Sequence, residues 1–323
     1  MTICIAAIHS NDTLITASDR KISFSASFST EGEMSKFIPL KRWIGLMAGE
    51  DVSPGMPILR GIAGIERGDE TVEEYTKLCR SAYLRQRIIE IESQILGKYD
   101  LTLNEFKKNG KAILTDKVYE HVFSEIEEFH LGCSFLFGGF DCTCAPHLFV
   151  LSDPGRTEHF DRTGYWAIGT GRHATLSHLA SYPYRRTDSL GICVYRVMAA
   201  KIASECARDV GKSTYVCLKF RDCPYAIDLS QDLIDALREG YESLPRLPKG
   251  IDKLAEARIK HAREYVNRSV TDKKDRSGAG IETVPLSAKL PKLPTKPRNQ
   301  PMHVMKPRLA PTGTESDESK KET

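Results

Sequence analysis

Apolar and polar residues are arranged along this chain in two patterns, one typical of strands and one typical of helices. Short runs rich in Ile, Val, Phe, Cys and Thr, bounded by turn residues, predict strands at 2–8, 13–18, 37–48, 132–140, 147–152 and 213–220. Apolar residues at spacings near three and four predict helices at 71–97, 115–129, 172–181 and 188–209. Because strands and helices occur in blocks rather than in strict alternation, the pattern predicts a layered α+β domain.

The pattern changes after residue 250. Residues 251–271 are charged and weakly amphipathic, which predicts a charged helix. Between Thr283 and Thr314 there are seven prolines and six Lys or Arg with no acidic residue, a composition that predicts disorder. We therefore expect a folded domain at 1–250, the helix at 251–271 and a disordered Pro/Lys-rich tail at 272–323. The tail is interpreted either as a docking segment for an anionic or protein partner or as a solvated end without a ligand.

Composition indicates an ordinary soluble protein. The chain has 323 residues, of which 41% are hydrophobic and 28% charged. No run approaches the 18 or so apolar residues of a membrane span, and the N-terminus lacks the pattern of a signal peptide. Nine cysteines without such a signal predict reduced thiols and a cytoplasmic location. The net charge of +3 divides into −3 over 1–250 and +6 over 251–323, and neither a membrane nor a nucleic acid is an expected partner.

The first fifty residues hold the candidate chemistry. If Met1 is removed, Thr2 carries a hydroxyl and a free α-amine, so that nucleophile and base lie on one residue. Such an amine titrates at about 7.7–8.0 and can accept the hydroxyl proton. Asp19 and Lys36 flank apolar strands, where an unpaired charge would be costly, and Gly49 ends another strand. Singly, these residues also fit an edge-strand threonine, a surface ion pair and a turn.

Taken together, their order and surroundings resemble those of proteasome β-subunits and bacterial HslV-type peptidases, which are N-terminal-nucleophile hydrolases. The resemblance covers roughly residues 2–230. It implies a four-layer αββα sandwich, in which 98–117 is an insertion. The matching segments are Thr2, Ala17-Ser18-Asp19, Lys36-Phe37-Ile38, Met47-Ala48-Gly49, Phe137-Gly138-Gly139-Phe140-Asp141, Leu148-Phe149-Val150-Leu151-Ser152-Asp153, Ala167-Ile168-Gly169-Thr170-Gly171 and Ala207-Arg208-Asp209.

The resemblance also implies roles for Thr2, Asp19, Lys36 and Gly49. Thr2 would attack the scissile carbonyl, with its own α-amine as base. Lys36 would make the hydroxyl more acidic through its positive charge, and Asp19 would hold Lys36 charged and oriented. Gly49 would offer a backbone N–H to the tetrahedral oxyanion, which suits glycine because substrate must approach closely.

Four further residues receive roles from the resemblance alone. Thr170 stands where the family has a serine that supports the α-amine, and Asp209 matches an aspartate that organises nucleophile and amine. A serine expected three residues after Asp209 is Lys212 here, a departure from the family pattern. Ser23 and Met47 are expected to bind substrate, and Met47 would floor a pocket for large apolar side chains.

These roles predict a threonine-type endopeptidase that acts on peptides or unfolded protein inside a self-compartmentalised homo-oligomeric ring or stack. An ATP-driven unfoldase stays open as a partner. Two alternatives also stay open: an amidohydrolase for small acyl compounds on the same fold, and a non-catalytic structural subunit.

No cofactor and no metal are predicted from the sequence. The G-x-G-x-x-A run at 169–174 lacks the strand–helix–strand unit of a dinucleotide site. Cys142, Cys144 and His147 are too few for a four-ligand zinc site.

Overall fold

The computed structural model describes residues 2–24, 28–31, 36–49, 53–207, 210–243 and 251–272. The strands within these residues are β1 Ile3–His9, β2 Thr13–Asp19, β3 Lys21–Phe24, β4 Phe28–Glu31, β5 Phe37–Pro39, β6 Trp43–Gly49, β7 Cys133–Phe140, β8 Pro146–Ser152, β9 Arg156–His159, β10 Tyr165–Gly169, β11 Thr214–Phe220 and β12 Ala226–Asp228. The α-helices are α1 Gly55–Ile65, α2 Val72–Gln94, α3 Leu103–Ile113, α4 Asp116–Glu128, α5 Arg172–Ser181, α6 Leu190–Ala203, α7 Gln231–Ser243 and α8 Ile251–Asp272.

Two five-stranded sheets form the centre of the fold. The first has the strand order β10-β1-β2-β11-β12 and the second the order β5-β6-β7-β8-β9, while β3 and β4 form a separate hairpin. All of the described pairings are antiparallel; β1 pairs Cys4 with Ser18, and β2 pairs Asp19 with Thr214. The predicted α+β class is confirmed.

Alternation along the strands directs side chains into three buried clusters. Ile3 and Ile5 of β1 pack with α6, α7 and α8, whereas Cys4 and Ala6 of the same strand pack against residues of the second sheet. The other face of the second sheet packs on α1 and α2 through an aromatic group that includes Trp43. Each sheet therefore has helices on one face and the other sheet on the opposite face.

The predicted helices and strands are present, with differences that have local causes. The run at 37–48 is two strands, because a turn in which the Leu40 N–H donates to Trp43 O (3.0 Å) interrupts it. The segment 98–117 contains helix α3, which begins with a capping box of Thr102 and Glu105 and packs with α2 and α4. Strand β10, Tyr165–Gly169, was not among the predicted strands; it ends at Gly169, and helix α5 begins at Arg172, directly after the predicted helix entry at 167–171.

Helix α8 packs on the same cluster as α6. Ile259 and Ala262 are buried there and Ala255 is also buried, and Arg263 lies 4.5 Å from the ring centre of Phe220. The domain boundaries proposed from the sequence at 250 and 271 stay predictions. None of the helices in the described ranges is long and apolar enough to cross a membrane.

Candidate functional site

Three chain segments bring a threonine, an aspartate and a lysine to one end of the sheets. Thr2 precedes β1, Asp19 ends β2 and Lys36 precedes β5. Because β1 and β2 are antiparallel and pair Cys4 with Ser18, the start of one strand lies beside the end of the other. All three residues are buried, with exposed fractions of 2%, 0% and 4% respectively. We call Thr2, Asp19 and Lys36 the site cluster.

Hydrogen bonds join the site cluster into one network. The Thr2 hydroxyl donates to Asp19 Oδ1 and accepts from Lys36 Nζ, and Lys36 Nζ lies 2.6 Å from Asp19 Oδ1. The Asp19 carboxylate also accepts from the Ile3 N–H (3.0 Å, at Oδ1) and the Gly211 N–H (3.0 Å, at Oδ2). A fully buried carboxylate with these donors and a cation has its charge and lone pairs compensated.

The end of β10 holds the nitrogen of Thr2. The Thr2 N–H donates to Thr170 Oγ1 at 3.2 Å, and Gly169 pairs with Ile3. Gly169 has φ of +98°, and a Cβ at this position would lie 2.1 Å from the Thr2 carbonyl oxygen. Only glycine allows this close approach with a positive φ.

The Thr2 side chain borders a cavity of about 370 Å³. Most of its lining residues are small, and one is a carboxylate: Thr2, Ala48, Gly49, Gly132, Cys133, Ser134, Ser152, Asp153, Gly169 and Thr170. The Asp153 carboxylate accepts from Tyr83 Oη (2.5 Å), from the Leu131 N–H (2.9 Å) and from the Gly132 N–H (3.0 Å). These bonds fix the wall of the cavity, so that it presents small side chains and backbone to a bound molecule.

Cys4 is a second potential nucleophile close to Thr2, and its environment keeps it inactive. Its thiol donates to Met47 O at 3.3 Å and is fully buried. Burial raises the pKa of Cys4 to about 12. Because the thiolate is the nucleophilic form, the thiol stays protonated and Thr2 has no competitor from this residue.

The structure places the other predicted residues in different ways. Gly49 lines the cavity at the end of β6. Met47 is 3% exposed and packs in the cluster with α1 and α2, so its side chain does not line the described cavity. Ser23 lies in β3 opposite Ser29, but its side chain is outside the described part of the chain, as is all of Asp209. The roles predicted for these residues stay predictions.

Sequence reasoning did not find several groups at the site. The Gly211 N–H bonds Asp19 from a loop that no motif marks, and backbone donors carry no signal of their own in a sequence. The cavity walls from Gly132, Ser134 and Asp153 depend on how the start of β7 and the end of β8 meet. Gly169 was noted as part of Gly-Thr-Gly, yet its close contact with Thr2 requires the β1–β10 pairing.

No group of three or more His, Cys, Asp or Glu among the described residues could hold a metal ion. The fold and the site therefore define an α+β protein with a buried threonine–aspartate–lysine cluster beside a cavity.

Comparisons with known proteins give no family. No family model and no curated protein matches the chain. A solved structure that it resembles is a Gly-1 mutant of Anbu from Hyphomicrobium sp. strain MC1, with a TM-score of 0.49 and 14% sequence identity over 86% of this chain and 100% of that one.

The predicted membership in the proteasome β-subunit and HslV-type family is therefore wrong as an assignment: the structural likeness is distant, at 14% identity and a TM-score of 0.49, and no family is shown. It rested on short segments, such as Ala-Ser-Asp at the end of β2 and Gly49 at the end of β6. Small residues and turn formers are favoured at the ends of strands in general. Such segments therefore do not identify a family.

Proposed function

We propose that the chain, once Met1 is removed, is a hydrolase with Thr2 as an N-terminal nucleophile, and that it acts as a threonine-type endopeptidase. The observation that carries the proposal is the Thr2 hydroxyl, which lies between buried Asp19 and Lys36 and borders a cavity. A buried ion pair is costly to assemble. Its position on a hydroxyl beside an accessible cavity favours a chemical role over a structural one.

The chemistry is an acyl transfer in two steps. Thr2 Oγ1 bonds to the scissile carbonyl carbon while the hydroxyl proton passes to the α-amine of Thr2, directly or through a water. The tetrahedral intermediate expels the amine product, which takes that proton, and leaves an ester on Thr2. Water then attacks the ester, gives a proton back to Thr2 Oγ1 and releases the acid product.

Each neighbouring group has a part in this proposal. Lys36 stabilises the developing alkoxide through its ammonium charge, and Asp19 holds Lys36 by the 2.6 Å ion pair. Thr170 Oγ1 lies 3.2 Å from the Thr2 nitrogen and would orient the free α-amine. Gly49 would donate its backbone N–H to the oxyanion. Asp209 retains its organising role on the basis of the sequence alone.

The finer architecture and the assembly belong to the same proposal. The three buried clusters support a four-layer αββα sandwich of the N-terminal-nucleophile hydrolase type.

Exposed Ile88, Ile89 and Phe123 on α2 and α4 support a homo-oligomer, because such apolar groups favour contact with another chain. An enclosed ring or stack would restrict the sites to peptide or unfolded protein, and an ATP-driven unfoldase stays open as a partner. The absence of disulfides among the nine cysteines supports a cytoplasmic location.

A second candidate is an amidohydrolase for small acyl compounds. The cavity of about 370 Å³ has the size of a small-molecule site, and its small side chains would leave room for a compact substrate. The reaction steps would be the same.

The test begins with the mass of the purified protein. Loss of Met1 is expected, and a protein that keeps Met1 has no free amine at Thr2 and cannot use the proposed mechanism. Fluorogenic peptides with different residues before the cleaved bond are then compared with small acyl amides.

Turnover of peptides supports the endopeptidase, and turnover of acyl amides alone supports the second candidate. Thr2→Ala should abolish either activity while the protein stays folded, and Thr2→Ser should keep part of it because the hydroxyl and amine remain. Equal turnover by wild type and Thr2→Ala would refute the assignment of the nucleophile.

A further inference from the structure

A cluster of three charged side chains lies behind the site, on α6, the turn that follows it and α7. Lys201 Nζ lies 2.5 Å from Glu205 Oε1. Arg238 forms two parallel bonds to Glu205, at 2.9 Å from Nη1 to Oε2 and 2.6 Å from Nη2 to Oε1. The side chains are 0%, 10% and 21% exposed for Lys201, Glu205 and Arg238. We call these residues the α6–α7 ion cluster.

The α6–α7 ion cluster holds the backbone of the segment before β11. Lys201 Nζ donates to the carbonyls of Gly211 (2.8 Å) and Lys212 (2.9 Å). Arg238 Nη2 donates to the same Lys212 carbonyl at 2.7 Å. Three hydrogen bonds from two cations therefore fix two consecutive carbonyl groups.

The opposite side of this segment bonds the site cluster. The Gly211 N–H donates to Asp19 Oδ2 at 3.0 Å, and the Arg20 N–H donates to Ser213 O at 3.2 Å. Asp19 Oδ1 in turn contacts Thr2 and Lys36. A direct chain of contacts thus runs from Arg238 through Lys212 and Gly211 to the carboxylate.

We propose that Lys201, Glu205 and Arg238 are positioning residues that fix the Gly211 amide on Asp19 and so hold the Thr2–Lys36 geometry needed for nucleophilic attack. This inference rests on the proposed function. None of the three lines the described cavity, and none has a described hydrogen bond to Thr2, so they act through the backbone.

The arrangement of the ion cluster is suited to positioning. Lys201 is fully buried on α6, where it follows the apolar run 197–200. Holding a cation there without function would be costly, and Glu205 compensates it. The bidentate Arg238–Glu205 pair adds a fixed direction that a single ammonium could not give.

The experiment compares Arg238→Ala and Arg238→Lys with a matched control, Arg196→Ala. Arg196 is also an arginine on this helix layer, with an ion pair to Asp188 at 2.6 Å and 26% exposure, but it has no described contact with the Gly211 segment. Two quantities are measured on the full chain. One is the labelling of Thr2 by a β-lactone, mapped by peptide mass and resolved into maximal rate and half-saturating concentration. The other is hydrogen exchange at the Gly211 amide.

Arg238→Ala should lower the maximal labelling rate about tenfold, because small displacements of reacting groups have large effects on rate, with the half-saturating concentration unchanged. Gly211 exchange should become faster in the same variant. Arg238→Lys should fall between it and wild type, and Arg196→Ala should match wild type in both quantities.

A wild-type labelling rate in Arg238→Ala, or an equal loss in Arg196→Ala, would overturn the inference while leaving the proposed function intact. Wild-type protein without any label at Thr2 would overturn the proposed function instead. In that case Gly211 exchange would still decide whether the ion cluster holds the loop, since unchanged exchange in Arg238→Ala contradicts it.

Discussion

Two buried lysines lie near opposite ends of the strand pair β2–β11, and their surroundings differ. Lys36, 4% exposed, lies beside Asp19, which pairs with Thr214 at one end. Lys219, 2% exposed, pairs with Leu14 near the other end. Among the described contacts, its Nζ donates to three backbone carbonyl groups and to no side chain. These are the carbonyls of Lys41 (3.1 Å), Cys223 (3.0 Å) and Pro224 (2.8 Å).

The comparison shows what separates a reactive site from a structural one. Both lysines are buried and donate to described acceptors, so burial of an ammonium does not by itself indicate chemistry. Lys36 differs because it shares a carboxylate with a hydroxyl, and because that hydroxyl borders a cavity. Lys219 forms hydrogen bonds to a turn of the first sheet and to a turn of the second. Its described contacts include no hydroxyl that borders a cavity.

The strongest test of this difference is substitution of each lysine by methionine, which has a similar length. Lys36→Met should lower the rate of Thr2 labelling about 10²–10³-fold, because it removes the charge that stabilises the alkoxide. Lys36→Arg should also fail, since a planar guanidinium does not fit where a compact ammonium does.

Lys219→Met is the matched control and should label within twofold of wild type. Lys36→Met leaves Asp19 without its cation, at a cost of about 3–5 kcal/mol in unfolding free energy, so near-ultraviolet circular dichroism must show that the labelled sample is folded. A folded Lys36→Met protein with wild-type labelling would remove the distinction between the two lysines.

A second change alters the backbone next to Thr2, at the end of the strand pair β2–β11 where the site cluster lies. Gly169→Ala places a Cβ 2.1 Å from the Thr2 carbonyl oxygen at a φ of +98°, so Thr2 must move. We expect labelling to fall about tenfold or more, as expected for a displaced nucleophile.

The matched control is Gly64→Ala in α1, where a Cβ meets no described atom within 4 Å. That variant should keep its labelling rate and gain about 0.5–1 kcal/mol of unfolding free energy, because alanine favours the helix. Equal labelling in both variants would show that the contact at Gly169 has no part in placing Thr2.

A third change affects the opposite end of the strand pair β2–β11, where Lys219 lies. Truncation after residue 250 removes α8, which buries Ile259 and places Arg263 over Phe220 and 2.5 Å from Asp222. Unfolding free energy should fall by about 2–4 kcal/mol, while labelling of the remaining folded protein changes less than threefold.

A cut after residue 272 keeps α8 and should match the full chain in thermal unfolding. Equal melting temperatures for the two truncated proteins would mean that α8 adds nothing to the fold.

The remaining prediction concerns pH. Burial lowers the pKa of Lys219 to about 8, below its value in an unfolded chain, about 10.4. Between these values the unfolded state binds more protons than the folded state, so the contribution of Lys219 to stability rises with pH.

The difference in unfolding free energy between wild type and Lys219→Met should therefore shift in favour of wild type from pH 7.5 to 10, by up to about 3 kcal/mol. Urea denaturation at both pH values measures it. A difference that stays constant would show that Lys219 titrates normally.

Much of the fold was predictable because the patterns are local. The strands next to Thr2 and Asp19 alternate or run apolar over several residues, and α2 has both a capping box at Thr71 and apolar spacing. Helix α1 was not predicted, since Pro57 and three glycines within 11 residues oppose helix formation in isolation. Its stability comes from packing of Ile58, Leu59 and Ile62 on the second sheet, which no local pattern shows.

The candidate site likewise has residues that could be predicted from the sequence and residues that could not. Thr2, Asp19 and Lys36 could be selected only as a set, through the resemblance of their order to that of N-terminal-nucleophile hydrolases, because singly each residue also fits an ordinary strand end or a surface ion pair. Gly211 and Arg238 could not be found, because one acts through a backbone N–H and the other lies on an amphipathic helix where arginine is ordinary. Lys201 gives a signal in the sequence, since it is a lysine within an apolar run of α6.

The most direct test of the central claim is the site of covalent attachment of a β-lactone to the wild-type protein. We predict loss of Met1 and a single adduct mapped by peptide fragmentation to Thr2. The adduct should be absent in Thr2→Ala and strongly reduced in Lys36→Met. A protein that keeps Met1, or an adduct on any other residue with Thr2 unmodified, would contradict the account.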